Sequence, residues 1–561
     1  MSSILLSSTP SEAPLQSELE GYMFRGVDGF FAKFFEEKPY FTAIRNKIQE
    51  EKLTEGVGKL STDVLGLAHY DELVEWLATF QALFFAADQA SFRVLSQPLT
   101  KPGFPLKASI RLETFDLPAV AGSTRVFGEY HSASACAAAD DHGDILRFCE
   151  GALQVFKAQP ARCFLHGFLI CGTTLELWVF DRSGAYSSEK LNLAERPDLL
   201  VQTLASYTMM SDENVGFNTF VKRLGSGSDS YVMFDQHNKL YLRTKLIAAP
   251  SYLVGLGTTC YAASASTTGQ PDVAVKFSWR QESTHAELRQ LKRARECNVW
   301  GVIQLVGDQE LASIADFRQG LQFSQPFINR TLSCVATAPL GRPIQKWTSM
   351  PELLEVLRDL VKALRSLYID AGIIHRDIAI KNLIIALQPS ADSPKGVLID
   401  FDQALELKHA RAIEPLVGSD GFMAIGILSG QKHTYRHDPE SLFYVFLWLA
   451  IGNDHEHDDA NDILNGIPKT SRLWTWCSLD FGTVGREKAT DMSPKGFSRI
   501  LGEFSADFAP LWGLAEELHA LMFPLRDGKI FTGTETEEAA VKQLYDEMAD
   551  AFDRAALAWE K

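Results

Sequence analysis

Long apolar runs are missing from this chain. The longest, Leu442 to Ile451, has ten residues, about half of what a membrane helix needs, so no membrane association is expected. Basic charge is also scarce: 54 Lys and Arg stand against 71 Asp and Glu, for a net charge of −17. A broad nucleic-acid footprint or an anionic-membrane face needs a basic surface, so neither is expected, although a local basic site remains compatible. The eight cysteines are scattered, with no C-x-x-C pair and no histidine partner at short range. That pattern favours reduced thiols in an intracellular protein, cytoplasmic or nuclear. A three-residue apolar run near the N-terminus has no basic segment before it, which does not read as a secretory signal. What is present is ordinary globular composition, 46% hydrophobic and 22% charged, over a length that suits about three or four domains.

Residues 1–18 are rich in Ser and Pro and read as a mobile terminus. Residues 19–100 read as a helical segment, with Leu73, Trp76, Leu77, Phe80, Leu83 and Phe84 at three- and four-residue spacing as one buried stripe. Residues 101–238 change period. Strands are expected at Ala108–Thr114, Arg125–Tyr130, Cys163–Cys171 and Leu175–Phe180, with a helix at Asp144–Lys157, which makes a small α/β domain. Within it, Asp116, Glu129 and His131 approximate the metal-site pattern of PD-(D/E)xK nucleases, but a histidine stands where a lysine is needed. Imidazole does not supply the same persistent charge, so an inert scaffold is the preferred reading. The segment Arg182–Ser188 reads as a polar turn.

The chemistry concentrates after residue 239. Gly255-Leu-Gly257 opens a weak glycine-loop pattern whose third glycine is Cys260. Val273-Ala274-Val275-Lys276 is a β-run that puts Ala274 and Lys276 on one face. A helix over Ser283–Glu296 follows, and Glu282 and Glu287 are candidate partners for the lysine. Glu287 is preferred because a position inside the helix can be aimed rigidly. An extended connector over 337–341, a capping box at Ser349–Glu352 and an amphipathic helix lead to His375-Arg376-Asp377, with Lys381 and Asn382 close behind. A hairpin then ends on Asp400-Phe401-Asp402. A carboxylate and an amide on one loop, with a second carboxylate at a hairpin tip, can hold a Mg²⁺-nucleotide and orient a hydroxyl. The acidic, histidine-containing stretch Asn453–Asp459 reads as a solvated loop, and Glu537–Trp559 as a docking helix.

These elements resemble the eukaryotic protein kinase superfamily, and more narrowly the fungal-type protein kinase family. The narrower likeness rests on HRDIAIKNLI, LIDFDQA, GSDGFMAIGIL with HDPESLFYVFLW, and the upstream VFKAQPARCFLHGFLICG and LWVFDRSGAYSS. The resemblance implies an α+β, bilobal kinase-like fold: a β-rich N-lobe over 239–340, a helical C-lobe over 341–525 and a C-terminal helix over 526–561. It implies ATP and Mg²⁺ as cofactors and a protein substrate, with Ser or Thr preferred to Tyr as acceptor. Asp377 would be the catalytic base. Asn382 and Asp400 would be the metal ligands, and Lys276, held by Glu287, would pair with the phosphates. Gly255, Gly257, Ala274 and Lys381 would complete the nucleotide site. Arg376 would answer a negative charge on the activation segment, with Ser419 as the nearest hydroxyl. Asp402 replaces the glycine usual after Asp-Phe, and Gly426 stands where an A-P-E glutamate would be. Alternatives are a nucleotide-binding pseudokinase scaffold and a small-molecule phosphotransferase of the aminoglycoside or choline-kinase type. The 38-residue separation of Asp400 and Asp438, room for an activation segment, weighs against the last.

Overall fold

The structure is a computed structural model. It describes residues 15–559 apart from 37, 50, 85–91, 102–103, 115–123, 138–140, 225–229, 237, 282–285, 388–391, 410–415, 453–466, 479 and 536. Asp116, Glu282 and the stretch 453–459 therefore lie outside the described residues. The architecture is α+β.

The first sheet takes its strands from an unexpectedly wide span: β1 (Met23–Phe24), β2 (Phe92–Pro98), β3 (Lys107–Thr114), β4 (Thr124–His131), β5 (Phe164–Cys171), β6 (Thr174–Asp181), β7 (Gly184–Ser187) and β8 (Leu191–Asn192). Their order is β1-β7-β6-β5-β4-β3-β2, with β8 also on β6. The pair β4–β5 is parallel, which requires a crossover, and the helix Asp141–Ala158 supplies it. Two expectations fail here. Residues 92–98, read as helical, form an edge strand along β3, and residues 184–187, read as turn, form a wholly buried strand between β1 and β6. At the other end of the chain start, Leu15–Leu19 is a short helix rather than a mobile tail.

The reading of reduced thiols also fails at one pair. Cys136 and Cys171 form a disulfide with Cα atoms 5.8 Å apart. Parallel pairing sets His131 beside Cys171, and the short helix Ala133–Ala137 turns Cys136 back over that strand end. Long-range pairing brings the two together, so no local spacing announces them.

The second sheet is antiparallel throughout: β9 (Lys222–Arg223), β10 (Ser230–Met233), β11 (Lys239–Ala248), β12 (Thr259–Ser264), β13 (Val273–Arg280), β14 (Gln304–Ser313) and β15 (Thr331–Ala338), in the order β14-β15-β13-β12-β11-β10-β9. It shares one hydrophobic core with the first sheet and the N-terminal helices, in which Trp76, Phe80 and Phe168 meet Val275, Trp279 and Ala336. A wholly buried ion pair, Arg318 with Asp181 at 2.8 Å, crosses the same junction.

The C-terminal part is mostly helical around its own core. The helix Met350–Ala371 starts on Ser349, whose Oγ accepts the Glu352 N–H, and stops at Gly372, which sits at φ +66°. The reciprocal half of a capping box is not made, since the Glu352 carboxylate accepts from Thr348 instead. Every residue of the helix His437–Ile451 is buried, as its apolar circumference requires. The helix Glu538–Trp559 docks through Val541, Met548 and Phe552, with Trp559 left exposed. Among the described residues, no helix is long and apolar enough to cross a membrane.

Candidate active site

The loop after the strand Ile373–Ile374 is held from below by a carboxylate. Asp438, the second residue of the buried helix, accepts the N–H of His375 at 2.7 Å and of Arg376 at 2.9 Å. Burial alone would raise this carboxyl, but the hydrogen bond from His433 and the His375 N–H outweigh it and keep the group below its ordinary range. The His375 ring reaches the Ile399 carbonyl at 3.1 Å and packs edge-on against Phe401, tying this loop to the Asp-Phe-Asp turn. Arg376 and Asp400 both adopt left-handed backbone, φ +67° and +65°. Non-glycine residues pay about 1–3 kcal/mol for such conformations, which persist where surrounding bonds over-determine them.

Asp377 is thereby presented with both oxygens engaged. Asn382 Nδ2 donates to its Oδ2 at 2.9 Å and to its backbone carbonyl at 2.8 Å. Ser419 Oγ donates to Oδ1 at 2.7 Å, and Lys381 Nζ lies 3.7 Å from Oδ2. The serine considered as a regulatory partner for Arg376 is thus spent on Asp377, while the Arg376 Nε donates to the Gln403 carbonyl. The Asn382 carbonyl accepts the Ile399 N–H, so the amide side chain and Asp400 sit at adjoining strand ends. Asp400 Oδ1 is buried and accepts no hydrogen bond. A carboxylate oxygen and an amide oxygen are hard donors of the kind Mg²⁺ takes, so the residues fit that ion.

Beside the Asp-Phe-Asp turn, Lys276 Nζ stands 3.4 Å from Glu287, 3.7 Å from Asp402 and 4.0 Å from Asp400. Burial opposes its charge, but Glu287, Asp402 and Asp400 outweigh that and hold the ammonium above its ordinary range. Arg280, four residues further along β13 and by alternation on the same face, bridges Glu287 and Asp402. Three carboxylates and two cations thus share one lattice of net charge −1. The oxygens of Glu287, Asp400 and Asp402 lie within 4.8 Å of one another, but the first and third are already held by cations. Asp402 is therefore a structural partner of Arg280 more than an added metal ligand. Ala274 faces Ala262 across β12–β13, leaving two small side chains where a flat base could be gripped.

Gly255 and Gly257 are placed differently from expectation. The Gly255 N–H is bonded to the Arg182 carbonyl at 2.9 Å, and the Arg182 guanidinium lies against Gly257. The loop does not stand free. Gly426 also has a packing reason, since a Cβ there would meet His437 Nε2 at 2.6 Å. The segment is anchored instead by Glu440, which accepts the Ile425 N–H at 2.7 Å and pairs with Arg436.

Of the other acidic candidate site, Asp116 lies outside the described residues, and Glu129 and His131 bond to each other at 2.8 Å; nearby Asp144 is paired with Lys107 at 2.7 Å and Arg147 at 2.9 Å.

A profile described as fungal protein kinase matches residues 123–450, more than half of the chain. The chain belongs to the fungal protein kinase family. No curated protein matches it. The family match begins at β4, so it takes in strands β4 to β8 of the first sheet as well as the lysine strand and the Asp377 loop. Sequence reasoning missed Arg280, Arg182, Glu18 and Glu440 in this kinase-family chain. Strand alternation could have found Arg280; nothing local signals the others.

Proposed function

We infer that this member of the fungal kinase family is an ATP- and Mg²⁺-dependent protein kinase with a bilobal catalytic unit, acting on Ser or Thr hydroxyls. The observation that carries the reading is the pair of bonds on Asp377: one oxygen oriented by Asn382, the other already receiving a serine hydroxyl at 2.7 Å. A carboxylate so arranged accepts the proton of an attacking alcohol as its oxygen becomes nucleophilic. An acceptor serine or threonine would replace Ser419 there. Lys381, 3.7 Å from the same carboxylate, would offset charge on the transferred phosphoryl group. Mg²⁺, when bound, neutralises and orients the nucleotide phosphates; Asp400 and Asn382 would hold it. Lys276, kept charged by its carboxylates, would grip the phosphates, and Ala274 and Ala262 would enclose the base.

The test is transfer of radiolabel from ATP by the purified chain to mixed protein and small-molecule acceptors, with and without chelator. Label on serine or threonine of protein, lost with chelator, is expected. Label on small molecules alone, or bound nucleotide without any transfer, would defeat this reading.

A further inference from the structure

The loop that carries Gly255 and Gly257 is shaped from far upstream. It joins β11 to β12, yet its bonds run to the first sheet and to the helix Leu15–Leu19. Arg182, at the end of β6 and wholly buried, donates through Nη1 to the carbonyls of Tyr252 at 2.8 Å and Leu253 at 3.1 Å. Its own carbonyl accepts the Gly255 N–H at 2.9 Å. Its guanidinium lies over the Phe156 ring and so close to Gly257 that a Cβ there would stand 2.5 Å from Nε. Gly257 also has φ +52°. Glu18 closes the other side, its Oε1 accepting the N–H groups of Leu253 at 2.5 Å and Val254 at 2.6 Å. The Leu253 and Val254 side chains belong to the core formed by Phe127, Phe148, Phe156 and Trp178.

The far end of the loop is tied to the lysine strand. The Leu256 carbonyl accepts the Trp279 N–H at 2.7 Å, three residues past Lys276, and Cys260 lies opposite Lys276 in the β12–β13 register. One short segment therefore links Arg182 and Glu18 to the strand bearing the phosphate-gripping lysine. A loop free to close over a nucleotide pays ordering entropy when it does so; a loop held beforehand has paid on folding.

We propose that Arg182 and Glu18 are positioning residues of the nucleotide site, through which the upstream α/β sheet presets the glycine loop and so sets affinity for the nucleotide. This rests on the phosphotransferase reading above. Gly255 is not a phosphate donor in this arrangement; recognition falls on the residues from Gly257 to Cys260, beside Lys276. The proposal also gives the upstream sheet a task in the reaction; Arg182 lies within the family match and Glu18 before it.

The test compares the full chain with Glu18→Ala, Glu18→Gln and Arg182→Lys, reading steady-state kinetics and, separately, titration with a fluorescent ATP analogue in Mg²⁺. Glu18 is half-buried at the edge of the molecule, so Glu18→Ala should fold. Nucleotide Kd and KM for ATP are expected to rise about tenfold, with kcat at saturating ATP and KM for the acceptor within about twofold. Glu18→Gln, which keeps an acceptor oxygen, should recover most of the loss. Arg182→Lys keeps charge but loses the longer reach of Nη1 and the flat guanidinium over Phe156, and should resemble Glu18→Ala. Wild-type nucleotide affinity in Glu18→Ala and Arg182→Lys, with faster hydrogen exchange at 252–257, would reduce the latch to a strut and overturn the proposal. A wild-type chain that transfers no phosphate, together with the same Kd shifts in the variants, would remove the kinase reading and leave the latch standing.

Discussion

The two walls of the candidate site are held by different physics. Around Asp377 the order comes from short hydrogen bonds to backbone and amide groups: Asp438 on two N–H groups, Asn382 on Asp377, His375 on Ile399. Around Lys276 it comes from five charged groups sharing a partly buried lattice. Directional bonds of the first kind fix a geometry to within tenths of an ångström and are indifferent to salt. A charge lattice tolerates rearrangement and responds to any added ion, the phosphates of a nucleotide above all. The wall that carries the proposed proton acceptor is thus built rigidly, and the wall proposed to receive the phosphates is built from exchangeable partners.

Breaking the rigid wall should cost most. Asp377→Asn keeps shape and hydrogen bonding but cannot take a proton, so transfer should fall about 10³-fold or more while nucleotide binding stays near wild type. Turnover equal to wild type in a single-turnover assay would remove the assigned base. Asp438→Ala strands the N–H groups of His375 and Arg376 and the His433 ring, and should lower unfolding free energy by about 3 kcal/mol in denaturant titration. Since Asp438 contacts no reacting atom, Asp438→Asn, which keeps one acceptor, should lose less of both stability and activity.

The rigid wall was also the legible one. Asp377, Asn382 and Asp400 lie within one stretch of 24 residues, and their spacing alone places them on one loop and one hairpin tip. The helix His437–Ile451 announced its burial by being apolar on every side. The ionic wall was half legible: Val273–Lys276 and Glu287 carried a pattern, but Arg280 was passed over although alternation puts it beside Lys276. What lay beyond reach was pairing across the chain. Arg182 and Glu18 meet their loop 70 and 235 residues away. The strand Phe92–Pro98, half-exposed at a sheet edge, carries no clean alternation to separate it from the helices before it. The Cys136–Cys171 pair depends on a parallel register that only the crossover helix creates.

The ionic wall should yield a smaller and more reversible effect. Arg280→Met leaves the Glu287 and Asp402 carboxylates facing Lys276 with one cation fewer, taking the lattice from −1 to −2. KM for ATP should rise about fivefold, by repulsion of the phosphates and by stronger capture of Lys276. Adding Asp402→Asn removes the excess charge and should return most of that loss, with a coupling of about 1 kcal/mol in the double-mutant cycle. Additive losses would mean that the two side chains do not act as a pair and that Asp402 has another task.

One group crosses the division between the walls and gives the finest test of it. Lys488 is a charge-bearing side chain on the rigid side. Its Nζ donates to the carbonyls of Gly421 at 2.7 Å and Met423 at 2.8 Å, and lies 4.1 Å from the centre of the Tyr444 ring. Burial drives its pKa down from 10.5 to about 7. Between those two values the unfolded chain binds the proton and the folded chain does not, so stability rises with pH across that window. Below pH 7 both states carry the charge and its burial cost is constant. With a folded value near 7 and an unfolded one near 10.5, the gain from pH 7 to 9 should be about 2 kcal/mol, under the ceiling of about 1.4 kcal/mol per pH unit. Lys488→Met has no proton to lose, and the difference between its unfolding free energy and that of the wild type should drift by that amount above pH 7 and be flat below. A flat difference throughout would show that the lysine stays charged in the folded chain, and that the rigid wall holds a buried cation as well as the Asp438 carboxylate.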